Sequence, residues 1–590
     1  FITANTIEKM ASLIEGKKGI LKETIYKHKE HNVDTEYDEF PLTDVQMAYL
    51  IGRNEGIALG GISTHGYYEI LTHLNIRKLE ESLNKVIEIQ PMLRAIISKS
   101  GTQKILKEVP RYRISENDIR GYTDEEQENV IKTERQRMSH YVFDTEKWPL
   151  FEFKAFRTDE EEYYLFVGID LLIADGGSVR IFIRQLLDFY YDRFDKNRQN
   201  AFTFKDYVEA LNDFSESSTY KEDKDYWMEQ ISLIPPAPML PLQKDPSVIR
   251  KPQFARIEKV IPKSEWNVLQ KEAKKKGITT STLLCTAYAL VLGYWSNQPE
   301  LTINVTVFTR YPFNEGVTDI VGDFTSVILL RANLLGRSDF WKLASEIQNQ
   351  LMDALEHRHY DGMNVIRKIA EQAEMKEQAV MPVVFTSLLF SMEEGDIVTI
   401  EDLGEVKMGV SQTSQVYLDY QVMETKEGLL ITWDYIKELF TPNMISTMFK
   451  QYINIVESLS KNVISMPHLD SKEQEVFTAY NDTKLDMPIL PIQTTFKKIA
   501  EKYPEKILIA DNTGGVTCHQ VDKQSSQIAN YLLNQKIKRG DVIAVLGNRR
   551  KETIINILGI LKAGAAYVAI DPEYPEERKK YILSHSESVM

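Results

Sequence analysis

One stretch of the chain, YYLFVGIDLLIADGGSVRIFIRQLLDFYY at residues 163 to 191, constrains the fold most strongly. Residues Tyr163 to Ile169 predict a buried strand, and the Gly-Gly-Ser sequence that follows predicts a tight turn in which Ser178 caps a helix. The apolar residues of that helix share one face: Val179, Phe182, Ile183, Leu186, Leu187 and Tyr190. A strand that leads directly into an amphipathic helix is typical of an α/β fold.

Two carboxyl groups, those of Asp170 and Asp175, lie in the connection between this strand and this helix. Burying an unpaired carboxylate costs several kcal/mol, so each one requires a cationic or hydrogen-bonding partner, or a proton. Arg94 is a candidate partner for Asp175. From the residues alone, a structural role is the more common one for aspartates in this position.

The length of 590 residues predicts about four compact units, or two large domains of two lobes each. The formal net charge of −15 disfavours nonspecific binding to nucleic acid or to anionic lipid. Two cysteines, Cys285 and Cys518, cannot form a disulfide framework or a cysteine-rich zinc site, which favours a cytoplasmic protein. The longest apolar run, Thr282 to Trp295, is shorter than the roughly 20 residues of a membrane-spanning helix.

The segments along the chain alternate between helical and strand periodicity. Residues 6 to 15 and Ile76 to Ile89 predict amphipathic helices, and a polar break, SESSTYKEDKD at residues 215 to 225, divides the central region into two lobes. After Pro467 the sequence VIAVLG, a helix over residues 552 to 561 and the sequence AAYVAI predict a β-α-β unit.

The sequence DLLIADGGS resembles the DxxxxDxxS motif of heterocyclization domains of nonribosomal peptide synthetases, which replaces the HHxxxDG of ordinary condensation domains. Further motifs of that family follow in its order over about 430 residues. They are FPLTDVQMAYLIGR (40–53), PPAPMLPLQKDP (235–246), VGDFTS (321–326), VVFTS (383–387) and SQTSQVYLD (411–419), the last with Ser414 where a proline is usual.

The resemblance implies an α/β fold of two chloramphenicol-acetyltransferase-like lobes that form a V-shaped pseudo-dimer, followed by a partial α/β adenylation subdomain. It assigns the cyclodehydration step to Thr386, in the strand-like PVVFTSLLF, and to Asp419, after the alternating SQVYL. Without the resemblance, Thr386 would be a core residue and Asp419 a solvated or paired carboxylate. The residues expected to shape the active-site tunnel are Asp170, Asp175, Ser178 and Gln415.

Leu171 stands where an ordinary condensation domain has the second histidine of its motif, and a leucine cannot transfer a proton. The resemblance implies amide formation between a carrier-bound donor acyl group and carrier-bound Cys, Ser or Thr, followed by cyclodehydration to a thiazoline or oxazoline. The better nucleophilicity of a thiol near neutral pH favours cysteine. Two alternatives stay open: a condensation-only acyltransferase domain and a noncatalytic carrier-docking platform.

The two ends resemble parts of neighbouring domains. We expect residues 1–20 to be the end of an upstream carrier domain or a linker helix, 21–38 a linker, and 39–214 and 215–468 the N-lobe and C-lobe. Residues 469–492 are expected to be a second linker. The sequence LKAGAAYVAIDPEYPEERKKYIL (561–583) resembles a core motif of adenylation domains, so 493–590 is expected to be the truncated N-terminal part of such a domain.

The resemblance also implies the cofactors and partners. The substrates are carried on phosphopantetheine of upstream and downstream peptidyl carrier domains, and the adenylation domain is the third partner; no nucleic acid and no membrane are expected. The heterocyclization domain is expected to bind no cofactor and no metal, and ATP with Mg²⁺ belongs to the part of the adenylation domain beyond Met590. His357 and His359 do not predict a metal site, because two histidines without a convincing third ligand are not sufficient for one.

Overall fold

The structure is a computed structural model that describes residues 26–195, 201–335, 339–373, 379–389, 398–461, 463–468, 471–486 and 489–590. The chain divides into two compact units, Phe1–His468 and Leu469–Met590. The predicted helix at residues 6 to 15 and the predicted end of a carrier domain at residues 1–20 lie outside the described residues, as do the first residues of the 21–38 linker.

The first unit alternates helices and strands along the chain. Its strands are β1 (Phe40–Pro41), β2 (His65–Thr72), β3 (Ala95–Ile97), β4 (Thr102–Ile105), β5 (Ser115–Asp118), β6 (Phe151–Arg157), β7 (Tyr163–Asp170), β8 (Phe254–Pro262), β9 (Glu300–Phe308), β10 (Thr325–Asn333), β11 (Val383–Ser387), β12 (Glu405–Gln412), β13 (Leu418–Glu424) and β14 (Gly428–Ile436). Its helices are α1 (Asp44–Ile51), α2 (Ile76–Ile89), α3 (Asp124–Met138), α4 (Gly176–Tyr190), α5 (Phe204–Phe214), α6 (Ser218–Gln230), α7 (Lys263–Lys275), α8 (Thr280–Ser296), α9 (Phe340–Glu356), α10 (Gly362–Gln372) and α11 (Pro442–Ser460).

Two larger sheets organise these elements. The first has the strand order β12-β2-β7-β6-β5 and the second the order β10-β9-β11-β13-β14-β8, and β1, β4 and β3 form a small third sheet. The predicted strand at Tyr163 to Ile169 is confirmed as β7, in the middle of the first sheet. The predicted helix at Ile76 to Ile89 is confirmed as α2, whose buried residues recur at helical spacing.

The strand β12 crosses from the second half of the chain into the first sheet. It pairs antiparallel with β2, so that Ser411 lies opposite Gly66 and Gln412 opposite His65. The chain enters this strand through Gly404, which has a φ of 149° and packs so closely on β2 that an added Cβ would lie 2.2 Å from the Leu71 carbonyl oxygen. The crossover makes the first sheet depend on both halves of the unit.

Two apolar cores pack against the larger sheets. One core surrounds the second sheet, where Tyr288 of α8, Tyr420 of β13 and Trp433 of β14 are fully buried, and it also includes Tyr67 and Phe166 of the first sheet. The other core lies on the first sheet and includes Phe153 and Leu165. Aromatic and branched side chains on alternate positions of central strands form such cores.

Two local predictions were wrong. The polar stretch at residues 215 to 225 contains most of helix α6, because Ser217 caps that helix and Asp223 and Trp227 are buried on its inner face. The cap of α4 is Asp175 rather than Ser178: the Asp175 carboxylate accepts a hydrogen bond from the Ser178 N–H at 2.6 Å. The carboxylate is thereby used at the helix N-terminus, where a negative charge is stabilised.

The second unit contains the predicted β-α-β unit. Its helices are α12 (Ser471–Asn481), α13 (Ile492–Lys502), α14 (Cys518–Asn534), α15 (Lys551–Lys562) and α16 (Glu576–His585). Its strands are β15 (Ile507–Asp511), β16 (Gly514–Thr517), β17 (Val542–Leu546) and β18 (Ala566–Ile570). The strands β17 and β18 are parallel and are joined through α15, as the sequence predicted.

Among the described residues, no single helix has both the length and the apolar composition needed to cross a membrane. The helices α7 and α8, which are bent by 98° relative to each other, meet that criterion only as a pair.

We expect the substitution Gly404→Ala to weaken the attachment of β12 to β2. The added methyl group would clash with the Leu71 carbonyl oxygen, and the φ of residue 404 lies outside the region that alanine prefers. The free energy of unfolding should therefore fall by roughly 1–3 kcal/mol. Chemical denaturation of the first unit measures the effect. Gly121→Ala is the matched control, because an added Cβ there meets nothing within 4 Å; equal stability of the two variants would contradict the role assigned to Gly404.

Candidate active site

A cavity of about 260 Å³ lies between residues of the two larger sheets. Its walls combine apolar and polar side chains, and such a combination allows a site to bind and orient an organic substrate. The titratable and polar residues that line it include Tyr49, Asp175, Asn304, Thr386, Gln415 and Asp419.

The strands β11 and β13 bring Thr386 and Asp419 to this cavity. These strands are parallel neighbours, with Val384 opposite Asp419 and Thr386 opposite Gln421. Because side chains two residues apart on a strand share a face, Asp419 and Gln421 point the same way as Thr386. The sequence placed Asp419 at the end of an alternating run; in the structure it is the second residue of β13, after a turn through Ser414 and Gln415.

Neutral hydrogen-bond donors hold both oxygens of the Asp419 carboxyl group. Thr386 Oγ1 lies 3.4 Å from Asp419 Oδ1 and 3.0 Å from Thr306 Oγ1. Since a hydroxyl has one proton, Thr386 donates to one of these oxygens at a time and can accept from Thr306 in return. On the other side, Gln421 Nε2 donates to Asp419 Oδ2 at 2.7 Å and to Ser411 Oγ, on β12, at 2.8 Å.

The environment of Asp419 favours its protonated form. Burial raises the pKa of the Asp419 carboxyl from 3.8 to about 7; the hydrogen bond from Gln421 opposes this rise, and the charge of Asp434 adds to it. The residue is 8% exposed, so water solvates its charge poorly. A carboxyl with a pKa near 7 exists in both forms at neutral pH and can therefore both give and take a proton.

A buried ion pair lies next to Asp419 in the sheet. Asp434 of β14 is directly opposite Asp419, and Arg256 of β8 is directly opposite Asp434. Arg256 donates from Nε to Asp434 Oδ1 at 2.8 Å and from Nη2 to Asp434 Oδ2 at 2.6 Å. The backbone N–H of Ser411 donates to the same carboxylate at 3.1 Å, so the crossover strand contacts this pair as well.

Asp170 lies at the end of β7 in a fully buried hydrogen-bonding network. Its Oδ2 accepts from the Arg53 guanidinium and, at 2.6 Å, from Ser63 Oγ, and its Oδ1 accepts from the Leu172 N–H at 3.1 Å. A cation therefore balances the charge of Asp170, and the side chain does not line the cavity.

Asp175 and Ser178 join the start of α4 to the loop before β10. Asp175 Oδ2 accepts from the Phe324 N–H at 3.1 Å, and Ser178 Oγ donates to the Gly322 carbonyl at 2.6 Å. Arg310 completes the group: its Nη2 donates to Ser178 Oγ at 2.8 Å and lies 3.7 Å from Asp175 Oδ1. These contacts connect the two halves of the first unit.

The expected pairing of Asp175 with Arg94 was wrong. The Arg94 guanidinium donates to the backbone carbonyls of Ile87 and Glu88, in the last turn of α2, and to that of Leu106, which follows β4. The two carbonyls of α2 are acceptors that a helix end leaves open, and an arginine nearby satisfies them.

Leu171 and Gln415 both line the cavity. Leu171 therefore presents an apolar surface at the position where the resemblance implied a histidine in other family members. Gln415 has a φ of 60°, in the left-handed region, and this backbone turn leads the chain from β12 into β13.

The sequence did not single out several polar residues around the cavity. Gln421 and Thr306 complete the contacts of Asp419 and Thr386, and Asn304 lines the same wall with its Oδ1 lacking a hydrogen-bond partner among the described residues. A period of two could have found Gln421, because it is two residues after Asp419 in the same strand. The other two lie on a separate strand, whose register the sequence does not reveal.

The histidines of LEHRHYDG have other contacts. His359 Nδ1 lies 2.8 Å from Asp223 Oδ2 and its Nε2 lies 2.8 Å from the Tyr26 hydroxyl, while His357 stacks on Tyr226. Within the described parts of the chain, no group of three or more His, Cys, Asp or Glu side chains is arranged to hold a metal ion.

Comparison with protein families gives two matches. The family described as "Condensation domain" matches residues 37–484, and the family described as "AMP-binding enzyme" matches residues 496–590.

Among curated proteins, the chain is 37% identical over 583 residues to bacitracin synthase 1 of Bacillus licheniformis. The aligned region covers 98% of this chain and 11% of that protein. The chain is 28% identical over 592 residues to phenyloxazoline synthase MbtB of Mycobacterium tuberculosis, covering 98% and 41%. The chain thus spans less than half of either relative.

Two solved structures are similar to more than three quarters of this chain. The cyclization-docking bidomain of the nonribosomal peptide synthetase EpoB from Sorangium cellulosum has a TM-score of 0.71 and 31% identity, covering 77% of this chain and 92% of that one. The nonribosomal peptide synthetase FmoA3 has a TM-score of 0.78 and 26% identity, covering 96% and 58%. The predicted α/β fold, with two chloramphenicol-acetyltransferase-like lobes and a partial adenylation subdomain, is confirmed.

We expect Asp419→Asn to change the pH dependence of stability. The Asp419 carboxyl has a pKa of about 3.8 in the unfolded chain and about 7 in the folded protein. Between these two pH values it is ionised in the unfolded chain and protonated in the folded protein. The wild type should therefore lose up to about 4 kcal/mol of unfolding free energy relative to the variant as the pH rises from 4 to above 7. Denaturant titrations at pH 4 to 8 measure the difference.

Asp225→Asn, which changes an exposed carboxyl of α6, is the control for this measurement. This substitution removes a carboxyl group outside the cavity, so a pH-dependent difference that appears only with Asp419→Asn is specific to Asp419. A difference between wild type and Asp419→Asn that stays constant over this pH range would contradict the raised pKa.

Proposed function

Because this chain belongs to the condensation-domain family of nonribosomal peptide synthetases and continues into the start of an AMP-binding domain, we propose that it is a heterocyclization domain. It joins a carrier-bound donor acyl group to carrier-bound Cys, Ser or Thr and then closes the side chain onto the new amide. The product is a thiazoline or an oxazoline ring.

The observation that carries this proposal is the protonatable carboxyl group of Asp419 beside the Thr386 hydroxyl in the cavity wall. Ring closure expels a hydroxyl group, which requires a proton at neutral pH. The cavity walls, as far as the structure describes them, contain no histidine, lysine or cysteine. Asp175, the other aspartate of the wall, is occupied by the Ser178 and Phe324 N–H groups.

Asp419, with Thr386 as a relay, can supply and accept every proton that ring closure transfers. The thiol or hydroxyl nucleophile attacks the amide carbon, and its proton passes through the carboxyl group to the carbonyl oxygen, which becomes a hydroxyl. The carboxyl group then protonates this hydroxyl, which leaves as water, and takes the N–H proton as the C=N bond forms. A positioned acid or base of this kind contributes about 100- to 10,000-fold to a rate.

The names of similar proteins support the same function. MbtB is a phenyloxazoline synthase and the EpoB structure is a cyclization domain. A condensation-only acyltransferase is the second candidate, but it has no evident use for the Asp419–Thr386 pair, and Leu171 leaves it without the histidine of ordinary condensation domains. A noncatalytic docking platform is the third candidate, and it leaves a buried protonatable carboxyl in a cavity unexplained.

The proposal extends to partners and organisation. Upstream and downstream carrier domains deliver the substrates on phosphopantetheine, and the heterocyclization domain holds no cofactor of its own; ATP is used by the adenylation domain. The lobes are taken as residues 39–214 and 215–468, and the linker as 469–492. Both cysteines are free thiols, which supports a cytoplasmic location.

We expect Asp419→Ala to form the amide but to leave it open. The variant lacks the group that protonates the leaving hydroxyl, so ring formation should fall by about 100-fold or more while amide formation stays within a few-fold of wild type. A single-turnover assay with two loaded carrier domains, read by mass spectrometry, distinguishes the amide from the ring, which is lighter by one water.

The same assay separates the three candidate functions. Ring from the wild type supports heterocyclization, open amide from the wild type supports condensation alone, and no amide supports a docking platform. Ring from Asp419→Ala at the wild-type rate would remove Asp419 from the mechanism. Thr386→Ser, which keeps the hydroxyl, should form rings, and Thr386→Val, which keeps the shape, should not.

We expect Ser178→Ala to reduce amide formation and ring closure together. Ser178 Oγ links Arg310 to the Gly322 carbonyl, so its loss disturbs the cavity wall rather than one chemical step, and Asp175→Ala should act in the same way. The ratio of ring to open amide should stay at the wild-type value while the total yield falls. Normal yield, or selective loss of the ring, would contradict a structural role.

A further inference from the structure

Three ionisable side chains form a row across three neighbouring strands. Asp419 on β13, Asp434 on β14 and Arg256 on β8 are directly opposite one another in register. The side chains of Asp434 and Arg256 are 0% and 9% exposed, and the guanidinium binds both oxygens of Asp434. Asp419 is the member of this row whose two carboxyl oxygens contact neutral donors, Thr386 and Gln421.

We propose that the Arg256–Asp434 ion pair is a positioning element whose Asp434 carboxylate adds to the effect of burial and helps Asp419 retain its proton near neutral pH. Arg256 holds Asp434 as a fixed negative charge one strand away from Asp419, and a like charge at that distance disfavours ionisation of Asp419. The inference rests on the proposed function, because it assigns the pair to the group that delivers the proton in ring closure.

Hydrogen bonds connect the Arg256–Asp434 ion pair to Asp419, so the three residues belong to one network. The Ser411 N–H donates to Asp434 at 3.1 Å, and the Ser411 hydroxyl accepts from Gln421 at 2.8 Å. Gln421 in turn donates to Asp419 at 2.7 Å. The crossover strand β12 therefore connects the ion pair to the reacting carboxyl through Ser411 and Gln421.

The cavity wall also contains the charged side chains of Asp175, Arg180 and Glu424, and two phenols face Asp419. Tyr49 of α1 and Tyr288 of α8 are the phenols whose pKa is raised by the Asp419 charge, and burial, the larger effect, raises the pKa of both well above 10. Both phenols thus stay neutral. Among the described residues, Asp434 and Arg256 are the charged groups that act on the Asp419 pKa, with the effect of Asp434 the larger.

The test is the pH dependence of ring closure in two variants. Asp434→Asn removes the fixed negative charge and should lower the midpoint at which ring closure fails by one pH unit or more. Ring closure at pH 8 should then fall about tenfold for each pH unit by which the midpoint moves, while amide formation changes less than twofold. Arg256→Met/Asp434→Leu removes both charges without leaving a buried unpaired guanidinium. It should move the midpoint in the same direction by a smaller amount.

A second readout does not depend on catalysis. The stability difference between each background and its Asp419→Asn derivative, followed against pH, reports the Asp419 titration directly, with Asp225→Asn as control. A midpoint lowered in the Asp434→Asn background supports the inference even if the wild type forms no ring, in which case the proposed function alone fails. If Asp434→Asn does not fold, the double variant decides.

Two results would overturn the inference. The first is an unchanged stability midpoint in the double variant, because the ion pair would then have no effect on the Asp419 proton. The second is an equal loss of amide formation and ring closure at every pH, because the pair would then support the fold of the sheet and not the proton of Asp419.

Discussion

A buried carboxyl group requires either a cation or a proton, and this requirement organises the centre of the first unit. Asp170 is balanced by Arg53, and Asp434 is balanced by Arg256. Asp419 has neutral donors on both oxygens instead. The fold thus neutralises some aspartates with arginines and leaves Asp419 to retain a proton. The same physical rule produces the structural ion pairs and, in the cavity wall, a candidate acid.

The crossover strand β12 makes this arrangement possible. This strand pairs with β2 at the edge of the first sheet, and the next strand in the chain is β13 of the second sheet. Ser411 of β12 therefore contacts both Asp434 and Gln421. At another part of the cavity wall, Arg310 and the loop before β10 hold Asp175 and Ser178. The cavity is therefore built by contacts between the halves, and a change in either half alters its wall.

The sequence predicts local elements well and lateral contacts poorly. The α2 helix and the β7 strand follow from hydrophobic periodicity, and Thr386 and Asp419 follow from the resemblance of their motifs. The row from Asp419 to Arg256 depends on the register of three strands that are distant in sequence, which no local pattern specifies. The pairing assigned to Arg94 was wrong for a related reason, because backbone carbonyls near a helix end competed for the guanidinium.

The central claim is that Asp419 retains its proton up to near pH 7, and infrared difference spectroscopy of wild type against Asp419→Asn tests it most directly. The protonated carboxyl has a C=O stretching band that the carboxylate lacks. We predict that this band is present at pH 5 and disappears with a midpoint near pH 7, as burial of the side chain requires. A spectrum in which Asp419 is already a carboxylate at pH 5 would contradict the account.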